Sequence, residues 1–150
     1  MSLLRVHFDE PEHDWMPLTL EDEEVRIRCD ASDIYPSLEQ LVSALSAMLD
    51  ARDEQLVVWM EEPVELEMRF LRSDEVIRLE ISSFPGSLRP LETPKAEIVF
   101  VGTYEEICLP FWRALRELEG RYSREELARR WTGYFPHREL ALLTEQLGKT

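Results

Sequence analysis

Strict alternation of apolar and charged residues in three separate segments is the strongest constraint on the fold of this chain. The segments are Val25–Asp30, Val64–Phe70 and Ile77–Ile81. Side chains at every second position of a strand point to the same face, so each segment has one apolar face and one charged face. An antiparallel sheet with one covered face produces this pattern, whereas buried parallel strands read as continuous apolar runs. We therefore predict an antiparallel sheet with Glu65, Glu67 and Arg69 directed outward into water.

Less regular segments extend this predicted sheet to about five to seven strands. They are Leu4–Phe8, Trp15–Leu20, Gln55–Met60 and Ala96–Val101. The acidic run Glu21–Glu24 is typical of a hairpin tip, and Ser73-Asp74 is typical of a tight turn. The Pro-rich segment Ser83–Lys95 predicts a long irregular loop whose role stays open.

Helix starts are indicated by capping boxes, in which a Ser or Thr is followed three residues later by Gln or Glu. The boxes are Ser37 with Gln40, Thr103 with Glu106, and Ser123 with Glu126. They predict three helices: Leu38–Leu49, Thr103 to about Glu119, and Ser123 to Trp131. Pro110 is expected to kink the second of these helices. A last helix is predicted over His137–Leu147. The order of elements predicts an α+β fold: a mainly antiparallel sheet, one early helix, and a C-terminal group of helices packed on one face.

The length and composition fit one globular domain spanning residues 1–150. The chain has 150 residues, of which 44% are hydrophobic, enough for a core without disulfides or metal. It has neither an apolar run of membrane-spanning length nor a signal-peptide pattern, so we expect a cytoplasmic protein that does not bind membranes. Cys29 and Cys108 lie in apolar segments and are expected to be buried, reduced thiols.

Negative charge dominates the chain and is unevenly distributed. There are 31 Asp and Glu against 17 Lys and Arg, a formal net charge of -14. Asp9–Glu24 holds eight carboxylates and Asp53–Glu67 holds six, both without Lys or Arg, whereas the tail Arg121–Thr150 holds six basic residues against four Glu. This potential repels nucleic acid and favours a basic protein partner.

The last two predicted helices have the proportions of a helix-turn-helix motif. The second of them carries only Arg138 near its start, with Glu139 and Glu145 beside it. A recognition helix needs several donors to base edges and phosphates. We therefore expect a helical hairpin packed on the sheet and no nucleic-acid binding.

The densest polar cluster is His7–Asp14, which holds His7, His13 and four carboxylates. Imidazole and carboxylate groups can ligate a divalent metal, but this spacing matches no known ligand set and favours a solvated loop. The adjacent acids Glu61 and Glu62 point apart on a turn and do not form a glycosidase-like pair. The chain also has no phosphate-binding glycine loop and no nucleophile elbow. We therefore expect no cofactor and a non-catalytic protein; the alternative is a metal-dependent or acid/base enzyme using the His7–Asp14 cluster.

A binding surface is the remaining prediction. Leu56–Met60 alternates poorly, so Trp59 is either an exposed anchor or part of a strand buried on both faces. We predict a partner-binding surface with Trp59 as anchor and an acidic rim formed by Glu21, Asp22, Glu23, Glu24, Glu61 and Glu62. A third hypothesis is self-association through a sheet edge, and the oligomeric state stays open.

Several segments together resemble an uncharacterised family of small acidic bacterial proteins. They are His13–Leu18, Asp30–Leu45, Trp59–Pro63, Phe111–Leu118 and Arg130–Leu140, which cover most of the chain. The family has no assigned catalytic residues, so the resemblance assigns no role to any position. Proteins of this character are similar to the immunity proteins encoded beside secreted bacterial toxins, which implies a non-catalytic, inhibitor-like binding role.

Overall fold

The strands form two antiparallel sheets rather than one. A computed structural model describes residues 4–50, 53–86 and 96–149. The first sheet has the order β1-β2-β3, with strands Arg5–Phe8, Trp15–Glu21 and Arg26–Ser32. The second has the order β4-β5-β6-β7, with strands Glu54–Met60, Glu65–Ser73, Val76–Phe84 and Ala96–Gly102. The predicted α+β class and antiparallel strands are confirmed, whereas the single sheet is wrong.

Five helical segments complete the described part of the chain. They are α1 Ser37–Leu49, α2 Tyr104–Ile107, α3 Leu109–Arg121, α4 Arg124–Arg130 and α5 His137–Gly148. The helix predicted from Thr103 is divided at Cys108, because Pro110 has no N–H to continue the hydrogen-bond ladder and begins a new helix instead. The Thr103–Glu106 capping box is confirmed, and Ser123 accepts the Glu126 N–H at 3.1 Å.

The capping box predicted at Ser37 is wrong, because the side chains of Ser37 and Gln40 bind strand β4 instead of the start of α1. Pro36 is the N-cap of α1, which has no side-chain cap hydrogen bond. The Ser37 hydroxyl donates to the carbonyl of Val58 in β4, and the Val58 N–H donates to the Gln40 side-chain oxygen at 2.9 Å. Helix side chains therefore occupy the hydrogen-bonding groups at the outer edge of β4 at Val58.

The prediction that Glu65 and Glu67 face water is also wrong. Their exposed fractions are 3% and 7%. The hydroxyl of Tyr35, in the loop before α1, donates to Glu65 at 3.0 Å, and Arg69 donates to Glu67 at 2.9 Å. Burial of a carboxylate is tolerated when such partners are present, so the alternating pattern identified the strand but not the covering of its outer face.

One continuous hydrophobic core joins both sheets to the helices. The rings of Phe70 in β5 and Phe111 in α3 meet edge-on, with centroids 5.6 Å apart. Cys29 and Cys108 are free, buried thiols as expected, and burial raises the pKa of both. Of the predicted loop Ser83–Lys95, Ser83 and Phe84 end β6, and residues 87–95 lie outside the described residues.

No helix within the described ranges is both long enough and apolar enough to cross a bilayer.

Candidate functional site

An acidic groove lies between α1, α5 and the start of β4. Its volume is about 770 Å³. Its lining includes the carboxylates of Glu39, Asp50 and Glu139, and no Lys, Arg or His is among the described residues that line it. We name this feature the α1–α5 groove. Its described wall holds three carboxylates and no basic residue, and therefore favours positively charged groups.

The groove depends on the two faces of α1. The apolar positions Leu38, Leu41, Val42, Leu45 and Met48 are buried in the core. Glu39, Ser43, Ser46 and Asp50 recur every three or four residues, and therefore share the opposite face, which lines the groove. The end of α1 is held in place by Tyr104, whose hydroxyl donates to the Leu45 carbonyl at 2.7 Å, and by Arg72, which donates to the Met48 carbonyl.

Leucines on the flanking elements stand at the borders of the groove. In α5, Leu140 and Leu143 are buried, but Leu142 lies off their stripe and is 51% exposed. Leu56 in β4 is also exposed, and α5 is tied to α1 by a hydrogen bond from Ser46 to Gln146 at 2.9 Å. Leu56 lies two residues before Val58, so its backbone N–H and C=O point away from β5, toward the same outer edge.

Tyr134 extends this surface beyond the groove. Its ring is exposed, and its hydroxyl lies 2.8 Å from both carboxylate oxygens of Glu139. The hydrogen bond to Glu139, followed by partial desolvation and the charges of Glu139 and Glu39, raises the pKa of Tyr134, and Arg138 opposes this shift. The groove carboxylates Glu39 and Glu139 therefore both act on one exposed aromatic side chain.

A second exposed apolar side chain, Ile34, lies on a loop that contacts the segment carrying Tyr134. Gly133 approaches Asp33 so closely that a β-carbon on Gly133 would lie 2.9 Å from the Asp33 β-carbon. Ile34 and Tyr134 directly follow these two residues, and both are exposed. The loop before α1 and the linker between α4 and α5 thus bring two apolar side chains to the same region.

The predicted acidic tip Glu21–Glu24 is a hairpin tip, as expected. The Asp22 carboxylate accepts the N–H groups of Glu24 and Val25, each at 2.8 Å, which closes the turn between β2 and β3. Glu21 pairs with Arg5 at 3.7 Å, whereas no ion pair within the described residues reaches Glu23 or Glu24. These carboxylates therefore form an exposed acidic surface separate from the α1–α5 groove.

The other predicted acids do not join this tip. Glu61 accepts the backbone N–H of Asp30 at 3.3 Å and links the two sheets, while Glu62 is exposed. Asp30, which Glu61 contacts, lies six positions after Glu24, and six residues of a strand span up to about 20 Å. Glu61 is therefore well separated from the hairpin tip. Burial, then the charge of Asp30, raises the pKa of Glu61, and the hydrogen bond from the Asp30 N–H opposes the shift.

Trp59 is not an exposed anchor, and this prediction is wrong. Its side chain is 0% exposed because Val57 and Trp59 both point into the core, while Leu56 on the opposite face is exposed. The residues of the predicted acidic rim therefore lie at separate places on the surface, and Trp59 is not exposed to contact a partner.

The His7–Asp14 cluster is divided among separate partners. His7 contacts Asp9 at 2.9 Å, Glu12 pairs with Arg130, and the Asp14 carboxylate accepts the Thr132 hydroxyl at 2.7 Å and the Thr132 N–H. His13 and Asp14 have positive φ angles and form the turn before β2. Within the described residues, no three His, Cys, Asp or Glu side chains lie together as a metal site would require.

The residues of the groove were missed from the sequence, although two signals pointed to them. Glu39, Ser43 and Asp50 follow a helical period on the face opposite the apolar stripe of α1. Leu142 sits between the buried positions Leu140 and Leu143 and departs from the period of its helix. A single exposed leucine is normal on a protein surface, so Leu142 gains significance only from its place in the lining of the groove.

No protein-family model matches this chain, and neither a curated protein nor a solved structure shows significant similarity to it. Its function must therefore be inferred from its own surface.

Proposed function

We propose that this protein is a non-catalytic binding module, immunity- or inhibitor-like in character, that holds a cationic segment of a protein partner in the α1–α5 groove. The observation that carries the proposal is that the described residues lining this groove include three carboxylates and no basic side chain. Charge of this kind accelerates the encounter with a cationic partner and rejects acidic ones.

Apolar contacts are the second element of the proposal. Leu56 and Leu142 are exposed residues of the groove lining, and the exposed Tyr134 binds the groove carboxylate Glu139. Ile34 is exposed on the loop that contacts the segment carrying Tyr134. Interfaces gain most of their affinity from a few apolar or aromatic anchors surrounded by polar groups, and Tyr is among the most frequent of them. A protein segment can contact both the carboxylates and the apolar side chains of this surface. A small polycation would contact the carboxylates alone, so a protein segment is the better fit.

An amphipathic peptide tests the proposal. A Leu-Lys helical peptide should bind the protein in calorimetric titration, and a Leu-Glu peptide of the same length should not. Binding should weaken steeply as salt is added, because exposed charges are screened within about 10 Å at 0.1 M salt. Spermine that bound as tightly as the Leu-Lys peptide would overturn the choice of a protein segment.

Matched charge reversals locate the binding surface. The double variant Glu39→Lys/Asp50→Lys changes two exposed groove carboxylates, and Glu23→Lys/Glu24→Lys makes the same change of net charge at the hairpin tip. We expect the groove variant to lose about tenfold or more in affinity for the Leu-Lys peptide, and the tip variant to lose only a small factor. Equal losses in both variants would show non-specific attraction to an acidic protein and would contradict the proposal.

A further inference from the structure

The outer edge of β4 is covered at Val58 but open at Leu56, where it enters the α1–α5 groove. The carbonyl of Asp53 accepts the Arg72 N–H of β5 at 3.0 Å, whereas the backbone groups of Val58 bind side chains of α1. Alternate residues of a strand direct their backbone groups to the same edge, so those of Leu56 point away from β5, as those of Val58 do. No described residue hydrogen-bonds to the N–H or C=O of Leu56, and Leu56 lines the groove.

Helix α1 runs beside this open edge. Its start is bound to Val58, and its end is held by Arg72, whose backbone N–H binds Asp53. The helix is therefore antiparallel to β4, and a segment laid on the edge would follow the polar face of α1. Glu39 and Asp50 on this face are eleven positions apart, about 16 Å along the helix axis, which about five residues of a strand span.

The carboxylates of the groove stand at both ends of this path. Glu39 and Glu139 both act on Tyr134 at one end, and Asp50 lies at the other. A cationic strand can therefore bring a basic side chain to each end. A second copy of this chain, with its formal charge of -14, would bring further carboxylates to the same place, so charge favours a cationic partner over self-pairing.

A basic side chain, Arg69, stands close to the edge and is already paired. It lies opposite Leu56 in the register of β4 and β5, and it binds Glu54 at 3.1 Å and Glu67 at 2.9 Å. Directly opposite residues have their side chains on one face, so Leu56 and Arg69 share the outer face of the sheet. That face suits the apolar side chains of an added strand, and the side of α1 suits its basic ones.

We propose that the cationic partner segment binds the α1–α5 groove as an extended strand, pairing its backbone with the N–H and C=O of Leu56 at the open edge of β4. This inference rests on the function proposed above and adds the conformation of the segment and the pattern of its side chains. Main-chain hydrogen bonds hold such a strand, and its alternate side chains give specificity. Apolar residues lie beside Leu56, and basic residues lie toward Glu39 and Asp50.

Short alternating Val-Lys peptides test the inference by calorimetric titration. Residues of a strand direct their N–H groups to alternate edges, so N-methylation of every second residue removes pairing at one edge only. We expect methylation of one alternate set to weaken binding about tenfold or more, and methylation of the other set, which is the matched control, to change it little. Equal effects of the two sets, or no effect of either, would overturn strand pairing.

Leu56→Pro tests the same pairing from the side of the protein. Pro removes the outward N–H, which an edge strand tolerates, whereas Leu56→Ala removes the side chain and keeps the N–H. We expect the Pro variant to bind the Val-Lys peptide about fivefold or more weakly than the Ala variant. Circular dichroism checks that both are folded, and equal affinities of two folded variants would contradict the inference.

The Leu-Lys helical peptide separates this inference from the proposed function, because it meets the charges of the groove without strand pairing. If it binds at the groove and the Val-Lys peptide does not, strand pairing is wrong and the proposed function stands. If neither peptide binds, both are wrong. An alternating Val-Glu peptide that bound as tightly as the Val-Lys peptide would show that the edge does not select a cationic strand, which would also overturn the inference.

Discussion

The side-chain oxygen of Gln40 accepts the backbone N–H of Val58 at 2.9 Å, so α1 side chains seal the edge of a strand. Ser37 completes the arrangement by donating to the Val58 carbonyl. An edge strand with free N–H and C=O groups invites pairing with another chain, and a covering helix prevents it. The same contacts fix α1, and therefore the α1–α5 groove, against the second sheet.

Removing this edge contact should destabilise the fold. We expect Gln40→Ala to lower the free energy of unfolding by about 1–3 kcal/mol, because the part-buried Val58 N–H loses its partner. Ser43→Ala, on the exposed face of α1, is the control and should stay within about 0.5 kcal/mol of the wild type. Urea unfolding measures both, and equal stability of the two variants would show that the bond at Val58 contributes nothing.

Gly133 should tolerate no side chain. A β-carbon there would lie 2.9 Å from the Asp33 β-carbon and 3.0 Å from the Trp131 ring. Gly133→Ala should therefore cost about 1–3 kcal/mol through forced displacement of the loop before α1.

Gly120 provides the opposite case, since nothing lies within 4 Å of a β-carbon placed on it in α3. Gly120→Ala should raise stability by about 0.5–1 kcal/mol through helix propensity. Thermal unfolding of the pair should give shifts of opposite sign, and a stabilised Gly133→Ala would refute the close packing at Asp33.

The strands and helices were predictable because their signals are local. Period-two alternation over Ile77–Ile81 and the capping box at Thr103 each depend on residues within one element. The strands, the buried thiols and the hairpin tip at Glu21–Glu24 follow from such signals. They determine which segments form, but not which of them meet.

Features decided by distant contacts could not be predicted in this way. The buried Glu65 carboxylate is bound by the hydroxyl of Tyr35, thirty positions earlier in the chain. Ser37 and Gln40 likewise bind Val58 in β4, about twenty positions later, instead of capping α1. The α1–α5 groove joins residues from α1, β4 and α5, so charge runs along the sequence could not reveal it.

Glu61 should make stability depend on pH in a defined direction. Its pKa is raised in the folded protein, mainly by burial, so ionisation of Glu61 costs stability as the pH rises through the unfolded-state pKa and then the folded-state pKa. Gln at this position retains an oxygen for the Asp30 N–H without the charge. We expect Glu61→Gln to gain less than about 1 kcal/mol relative to the wild type at pH 7, a gain that disappears near pH 4.

Urea unfolding of Glu61→Gln at the two pH values measures this difference. Glu62→Gln, at an exposed neighbour, should show no such dependence on pH. A gain that grew as the pH fell would mean that the pKa of Glu61 is shifted the other way.

Both thiols should resist modification in the folded state. Cys29 and Cys108 are 0% exposed, and burial raises the pKa of each, so the reactive thiolate is almost unpopulated. Titration with a disulfide reagent at pH 8 should detect no fast-reacting thiol until denaturant unfolds the chain, and then two. A thiol that reacts within minutes in native buffer would show that one of these sites opens locally.

The most direct test of the central claim is an amide chemical-shift titration of the protein with the Leu-Lys peptide. We predict that the largest shifts cluster on the α1–α5 groove, at Glu39, Ser43, Leu142 and Tyr134, and fade as salt is added. Shifts that are largest at Glu21–Glu24, or spread over every acidic surface, would contradict the claim that this groove selects a cationic protein segment.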